Sequence, residues 1–151
     1  MNSHFDIYGL VTSKVGSVPY VSEGIPAGFP SPATDYIGDR IDLNEELIPN
    51  PVSTFFGRVK GISLIDDDID DSDSVIVDRM LEPQWGDLAV CVTQEGFTMK
   101  YVEVRDNGEV WLMPGNKDYA PMRITEDNER LLWGIVTHSI RQFRLKKGDK
   151  E

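Results

Sequence analysis

DLAVCVTQEGFTMKYVEVR, residues 87–105, decides the fold. Two apolar runs, Asp87–Thr93 and Phe97–Arg105, flank Gln94-Glu95-Gly96, and that arrangement reads as two strands joined by a tight hairpin. Side chains alternate across a strand, so Thr98, Lys100, Val102 and Val104 fall on one face. Phe97, Met99 and Tyr101 fall on the other. Lys100 is therefore a cation placed inside an apolar strand, which is unusual enough to ask for a reason.

Working outward, the same pattern repeats. Asp106-Asn107-Gly108 turns the chain into Val110–Met113, and an Asn-Gly pair between apolar runs is a strong hairpin signal. Upstream, Thr54–Lys60 and Ser74–Asp78 read as strands; downstream, Leu131–Phe143 reads as a long last strand with Gly134 as a bend. Short strands divided by turns predict a mainly β domain over residues 41–151. A short helix is expected at Ile41–Leu47, where Asp42, Glu45 and Glu46 favour a helix N-terminus and Pro49 and Pro51 prevent its continuation. Residues 1–40 carry Gly9, Gly16, Gly24, Gly28, Pro19, Pro26, Pro30 and Pro32 with no sustained period, and predict an irregular, mobile N-terminal arm.

The chain of 151 residues can bury one sizeable core. A single cysteine, Cys91, excludes an internal disulfide and suits a reducing cytoplasm. The start of the chain lacks a basic segment followed by an apolar one, and no apolar run is long enough to span a bilayer, so no membrane association is expected. A net charge of −11 disfavours direct, sequence-specific DNA binding, because phosphate neutralisation supplies most of such affinity. The basic cluster Arg141, Arg144, Lys146 and Lys147 reads as a solvated tail.

Three places could carry chemistry. Ser63 follows a glycine just beyond a strand end, in Gly61-Ile62-Ser63-Leu64-Ile65-Asp66, where its hydroxyl and nearby backbone N–H groups could face the same way; an ordinary turn serine fits the pattern equally. Lys100, withdrawn from water, would favour its uncharged form and could take a proton from a serine, or it could snorkel to the strand edge. Pro26-Ala27-Gly28-Phe29-Pro30-Ser31-Pro32 has the small residues and the extended bias that a scissile segment needs, and equally the composition of a linker. The acidic run Asp66–Asp73 lacks the glycine and glutamate of an EF-hand loop and reads as solvated. Cys91 and His138 are expected to be buried structural residues, and no spacing supports a metal or cofactor site.

Together these stretches resemble one family. GFPSPATDYIGDRIDLN (28–44), GISLIDDDIDDSDSVIVD (61–78), FTMK (97–100), MPGNKDYAPMRI (113–124) and WGIVTHSI (133–140) are similar, in order and spacing, to segments of the UmuD family of LexA-like self-cleaving serine–lysine peptidases. The resemblance implies a LexA/signal-peptidase-like β domain with Ser63 as nucleophile, Lys100 as general base and Ala27–Gly28 as the bond cut. The N–H groups of Ser63 and Ile62 would bind the oxyanion. It also implies a homodimer, activation by a RecA–single-stranded DNA filament, and a later role as accessory subunit beside a Y-family, UmuC-like polymerase subunit in translesion synthesis. Ile62, Leu64, Asp67 and Asp68 depart from the residues common in that family, and residues 1–26 match it poorly. The alternative is a non-cleaving regulatory protein of the same fold acting on a polymerase or RecA.

Overall fold

A computed structural model describes residues 4–9, 18–21, 27–28, 37–60, 69–114 and 120–144, with the backbone alone for 4–9, 18–21 and 37–39. The chain divides into two compact units, Val11–Pro51 and Met1–Leu10 with Val52–Glu151.

The larger unit is an eight-stranded antiparallel sheet. In chain order it contains β1 (His4–Gly9), β4 (Thr54–Lys60), β5 (Ser74–Asp78), β6 (Leu88–Thr93), β7 (Gly96–Val104), β8 (Val110–Met113), β9 (Met122–Ile124) and β10 (Leu132–Ile140). Across the sheet the order is β1-β4-β5-β10-β6-β7-β8-β9. β6 to β9 follow one another as a meander, while β10 inserts between β5 and β6 and joins two groups of strands that share no other ladder among the described residues. β1 also approaches β7, so the sheet curls back toward its own first strand.

The hairpin fixed by the sequence forms as expected. Thr93 pairs with Gly96 across the turn, and Gly96 takes φ +120°, a value that L side chains rarely adopt. Gly108 does the same at φ +86° in the β7–β8 turn.

β10 keeps two faces buried by breaking register. Its pairing with β6 shifts between Leu132 and Gly134. Leu132 packs with Ala89, Cys91, Val102, Leu112 and Ile135, whereas Trp133 and Val136 pack with Val59, Ile69, Val75, Val77, Val90 and Met99. Trp133 and Ile135 would share a face in a regular strand, so the extra residue at Gly134 reverses the alternation. A Cβ on Gly134 would lie 2.7 Å from Val77 Cγ1, and Val77 is itself buried, so only glycine fits the crossing.

The smaller unit pairs β2 (Val18–Val21) with β3 (Ile37–Ile41) and adds α1 (Leu43–Leu47). Asp42 caps α1, its Oδ1 accepting the Asn44 N–H at 2.9 Å. Three short strands are described within the N-terminal stretch read as irregular. Their period was hidden because β1 pairs far away in sequence with β4, and because β2 contains Pro19, which only an edge strand tolerates.

Candidate functional site

Lys100 sits in the middle of β7, opposite Ala89 of β6. The division of faces read from the sequence holds: Met99 packs in one buried cluster with Phe97 and Tyr101 against it, and Val102 packs in the other with Val104. Lys100 shares the Val102 face, beside Ala89 (0% exposed) and Cys91 (1%). The lysine is half-buried rather than fully enclosed. Among the described residues no ion pair or hydrogen bond engages its ammonium. Its charge is felt by Cys91, whose thiol burial pushes up to about 12 while Lys100 pulls the other way. A thiol held so far from ionisation is no nucleophile at neutral pH.

Ser63 and Ile62 lie outside the described residues, as does the Asp66–Asp68 part of the acidic run. What is described is how the two ends of segment 61–68 are held. At one end, Val59 of β4 donates its N–H to the Asp73 carbonyl and accepts from the Ser72 N–H, both at 2.8 Å. Ser72 reaches that position with φ +72°. At the other end Ile69, 4% exposed, enters the same cluster as Val59 and Met99. The residues bracketing the segment therefore enter the cluster that holds Met99, on the β7 face opposite Lys100.

A polar clamp reinforces this end. Asp73, 2% exposed, receives Arg141 Nε on Oδ1 at 3.0 Å and Arg141 Nη2 on Oδ2 at 2.9 Å, with the Asp70 N–H on Oδ2 at 2.9 Å. Asp70 adds a 3.1 Å contact to Arg141 Nη2. Hydrogen bonding from Arg141 holds the Asp73 carboxyl below its usual 3.8, against the opposing effect of burial and with help from the Asp70 amide. Two expectations are corrected. The acidic run is not wholly solvated, since its last residue is a buried carboxylate; and Arg141 is not part of a free basic tail but the partner that makes that burial tolerable. Sequence reading missed this pair because its members stand 68 positions apart. The signal available was local: Asp73 opens the strand read at Ser74–Asp78 and so could not remain fully in water.

A second buried carboxylate closes the far end of the same strand pair. Asp78 Oδ1 accepts from Ser53 Oγ at 2.7 Å and from the Met80 N–H at 2.9 Å, tying the start of β4 to the end of β5. His138, expected to be buried, is exposed on β10, with Nδ1 3.0 Å from Thr137 Oγ1. It pairs with Ile76, whereas Cys91 pairs with Leu132 at the other end of β10, so the two residues are not brought together. Ala27 and Gly28 form an exposed bend, and open space surrounds the position of a Cβ on Gly28.

Comparison with known proteins gives a consistent answer. Residues 19–137 match the family described as Peptidase S24-like, a span that contains Ala27, Gly28, Ser63 and Lys100. The chain is 40% identical over 129 residues to Protein MucA of Salmonella typhimurium, covering 85% of this chain and 87% of that protein. It is 34% identical to Protein SamA of the same species, covering 85% and 88%. Its match to the LexA repressor of Desulfatibacillum aliphaticivorans, 31% identical, spans 75% of this chain but 54% of the repressor.

Proposed function

The chain belongs to the Peptidase S24-like family, on its UmuD-like side, and from that premise we propose that it is a self-cleaving serine peptidase of SOS mutagenesis that cuts its own Ala27–Gly28 bond through Ser63 and Lys100. The observation that carries this reading is Lys100 itself: a half-buried amine on a strand face shared with the buried residues Ala89, Cys91 and Val102, with no ionic partner among the described residues. A lysine on such a face, with its amine in no described ion pair, is available to exchange a proton with a nearby hydroxyl.

In this mechanism the uncharged Lys100 amine takes the proton of Ser63 as its oxygen attacks the Ala27 carbonyl carbon. The N–H groups of Ser63 and Ile62 hold the oxyanion. Collapse of the adduct breaks the C–N bond, Lys100 returns the proton to the departing Gly28 amine, and water then hydrolyses the ester on Ser63. Because the substrate is tethered to the enzyme, little binding affinity is needed and regulation can act on the position of residues 1–40 relative to 41–151. A RecA–single-stranded DNA filament would favour the docked arrangement by binding it more tightly. The trimmed homodimer then serves a Y-family polymerase subunit in the cytoplasm. No helix among the described residues is long and apolar enough to cross a membrane.

Intact-mass analysis after incubation with RecA, single-stranded DNA and ATP tests the reading. A product beginning at Gly28, absent in Ser63→Ala and in Lys100→Ala, is the expected result; an unchanged mass under every condition would sink it.

A further inference from the structure

The position of the proposed cut relative to the strand pairings has a consequence for what the cut achieves. The Ala27–Gly28 bond lies in the connection between β2 and β3, and those two strands are paired with each other, from Val18 opposite Ile41 to Val21 opposite Ile37. Further upstream, β1 lies along β4 with six successive pairs, His4 opposite Lys60 through Gly9 opposite Phe55, and no break in register. Both described strands upstream of the bond are therefore paired to strands downstream of it. Breaking the bond opens a loop; among the described residues it removes no ladder.

We propose that residues 1–27 remain on the body after cleavage as a bound strand, with β1 occupying the β4 edge at Thr54–Lys60, and that departure of this strand is a separate step. The inference rests on the cleavage site given above. Before the cut, the connection holds β1 beside β4 at a high effective concentration; after it, the same pairing becomes an association of two molecules and depends on their concentration. The two ladders differ in quality. The β2–β3 pairing carries a register shift between Pro19 and Val21, whereas β1–β4 is regular, so β1 provides the principal hold. Once β1 leaves, β4 keeps β5 on one side and presents unpaired N–H and C=O groups on the other, the surface that extended peptides use to join a sheet. Because β1 also approaches β7, its departure uncovers the strand that carries Lys100 as well. The occupant of the edge in the freshly cut protein is the chain's own fragment, and bond cleavage and exposure of the edge are distinct events.

The test makes the cut without the protein's own chemistry. A full-length Ser63→Ala chain carrying a site-specific protease sequence inserted between Ala27 and Gly28 is cut by the added protease and passed over a gel-filtration column at micromolar concentration. The expected result is co-elution of the fragment with the 28–151 body, and amide exchange across Thr54–Lys60 as slow as in the uncut protein. An excess of a synthetic peptide of residues 1–12 should displace the labelled fragment, and a scrambled peptide should not. Asp6→Pro combined with Ile7→Pro, which cannot form the ladder, should release its fragment on cutting. A fragment that elutes alone, with exchange at Thr54–Lys60 rising about tenfold or more at once, overturns the proposal. So does equal displacement by the scrambled peptide. Since the added protease makes the cut, a failure of self-cleavage leaves this result standing, and a free fragment leaves self-cleavage untouched.

Discussion

The hairpin of β6 and β7 and the connection from β4 to β5 both bear on the proposed chemistry, yet they are held in different ways. The hairpin is a continuous ladder of neighbours, Leu88 opposite Tyr101 through Thr93 opposite Gly96, and Lys100 inherits its position from that ladder. The connection is fixed at its ends, by the Val59 backbone bonds, the burial of Ile69 and the Arg141–Asp73 clamp. One region is specified by local sequence and the other by residues brought in from a distance. The difference teaches that the proposed base should tolerate little change in place, while the segment carrying the proposed nucleophile can be tuned from outside it.

The largest effect sharpens that comparison at Lys100. Lys100→Met keeps the apolar length of the side chain beside Ala89 and Val102, so the fold should persist while self-cleavage falls by about 100-fold or more. Intact mass against time measures the rate, and thermal unfolding checks the fold. Near-normal cleavage by a folded variant would remove Lys100 from the mechanism.

Next comes Gly134→Ala, which drives a methyl group against Val77 Cγ1 from 2.7 Å. Overpacking of this kind costs about 1–3 kcal/mol, read as a lower denaturant midpoint. A neutral result would mean that β10 can slide at its bulge, and the distinction between rigid ladder and adjustable connection would weaken.

Arg141→Gln probes the connection. It leaves Asp73 buried without its charged partner and should lower the melting temperature at neutral pH, with slower cleavage although neither Ser63 nor Lys100 is altered. The pH dependence has a definite sign. The folded Asp73 carboxyl titrates below 3.8, so the clamp's contribution is fully present above about pH 4 and is lost as pH falls through the folded value. Unfolding curves from neutral to acid pH should show that acid limb in the parent protein and a shallower one in the variant. Identical limbs would show that the clamp does not govern this region.

The smallest effect is expected from Asp42→Ala, which removes the cap of α1 and should cost about 0.5–1 kcal/mol. A cost that small, with cleavage unchanged, would separate the helix from both regions compared here.

How much of this was legible beforehand follows the same division. The strands Thr54–Lys60, Ser74–Asp78 and Val110–Met113 form with the boundaries the sequence suggests, because each is bounded by turn residues. The two faces of β7 were readable from alternation alone. β1, β2 and β3 were not, since short strands among glycines and prolines show their character only once a partner is known. β9, three residues long, escaped for the same reason. Of the candidate site, Lys100 declared itself as a cation on an apolar face. The burial of Asp73 did not, for its cause is an arginine at the far end of β10.

The insertion of β10 between β5 and β6 also sets an order of events during synthesis. β10 is the last described strand to be made, and until it arrives the group β1-β4-β5 has no ladder to the meander that holds Lys100. A nascent chain therefore lacks a joined sheet until β10 is made, and the self-cleavage proposed above would have to wait for that strand.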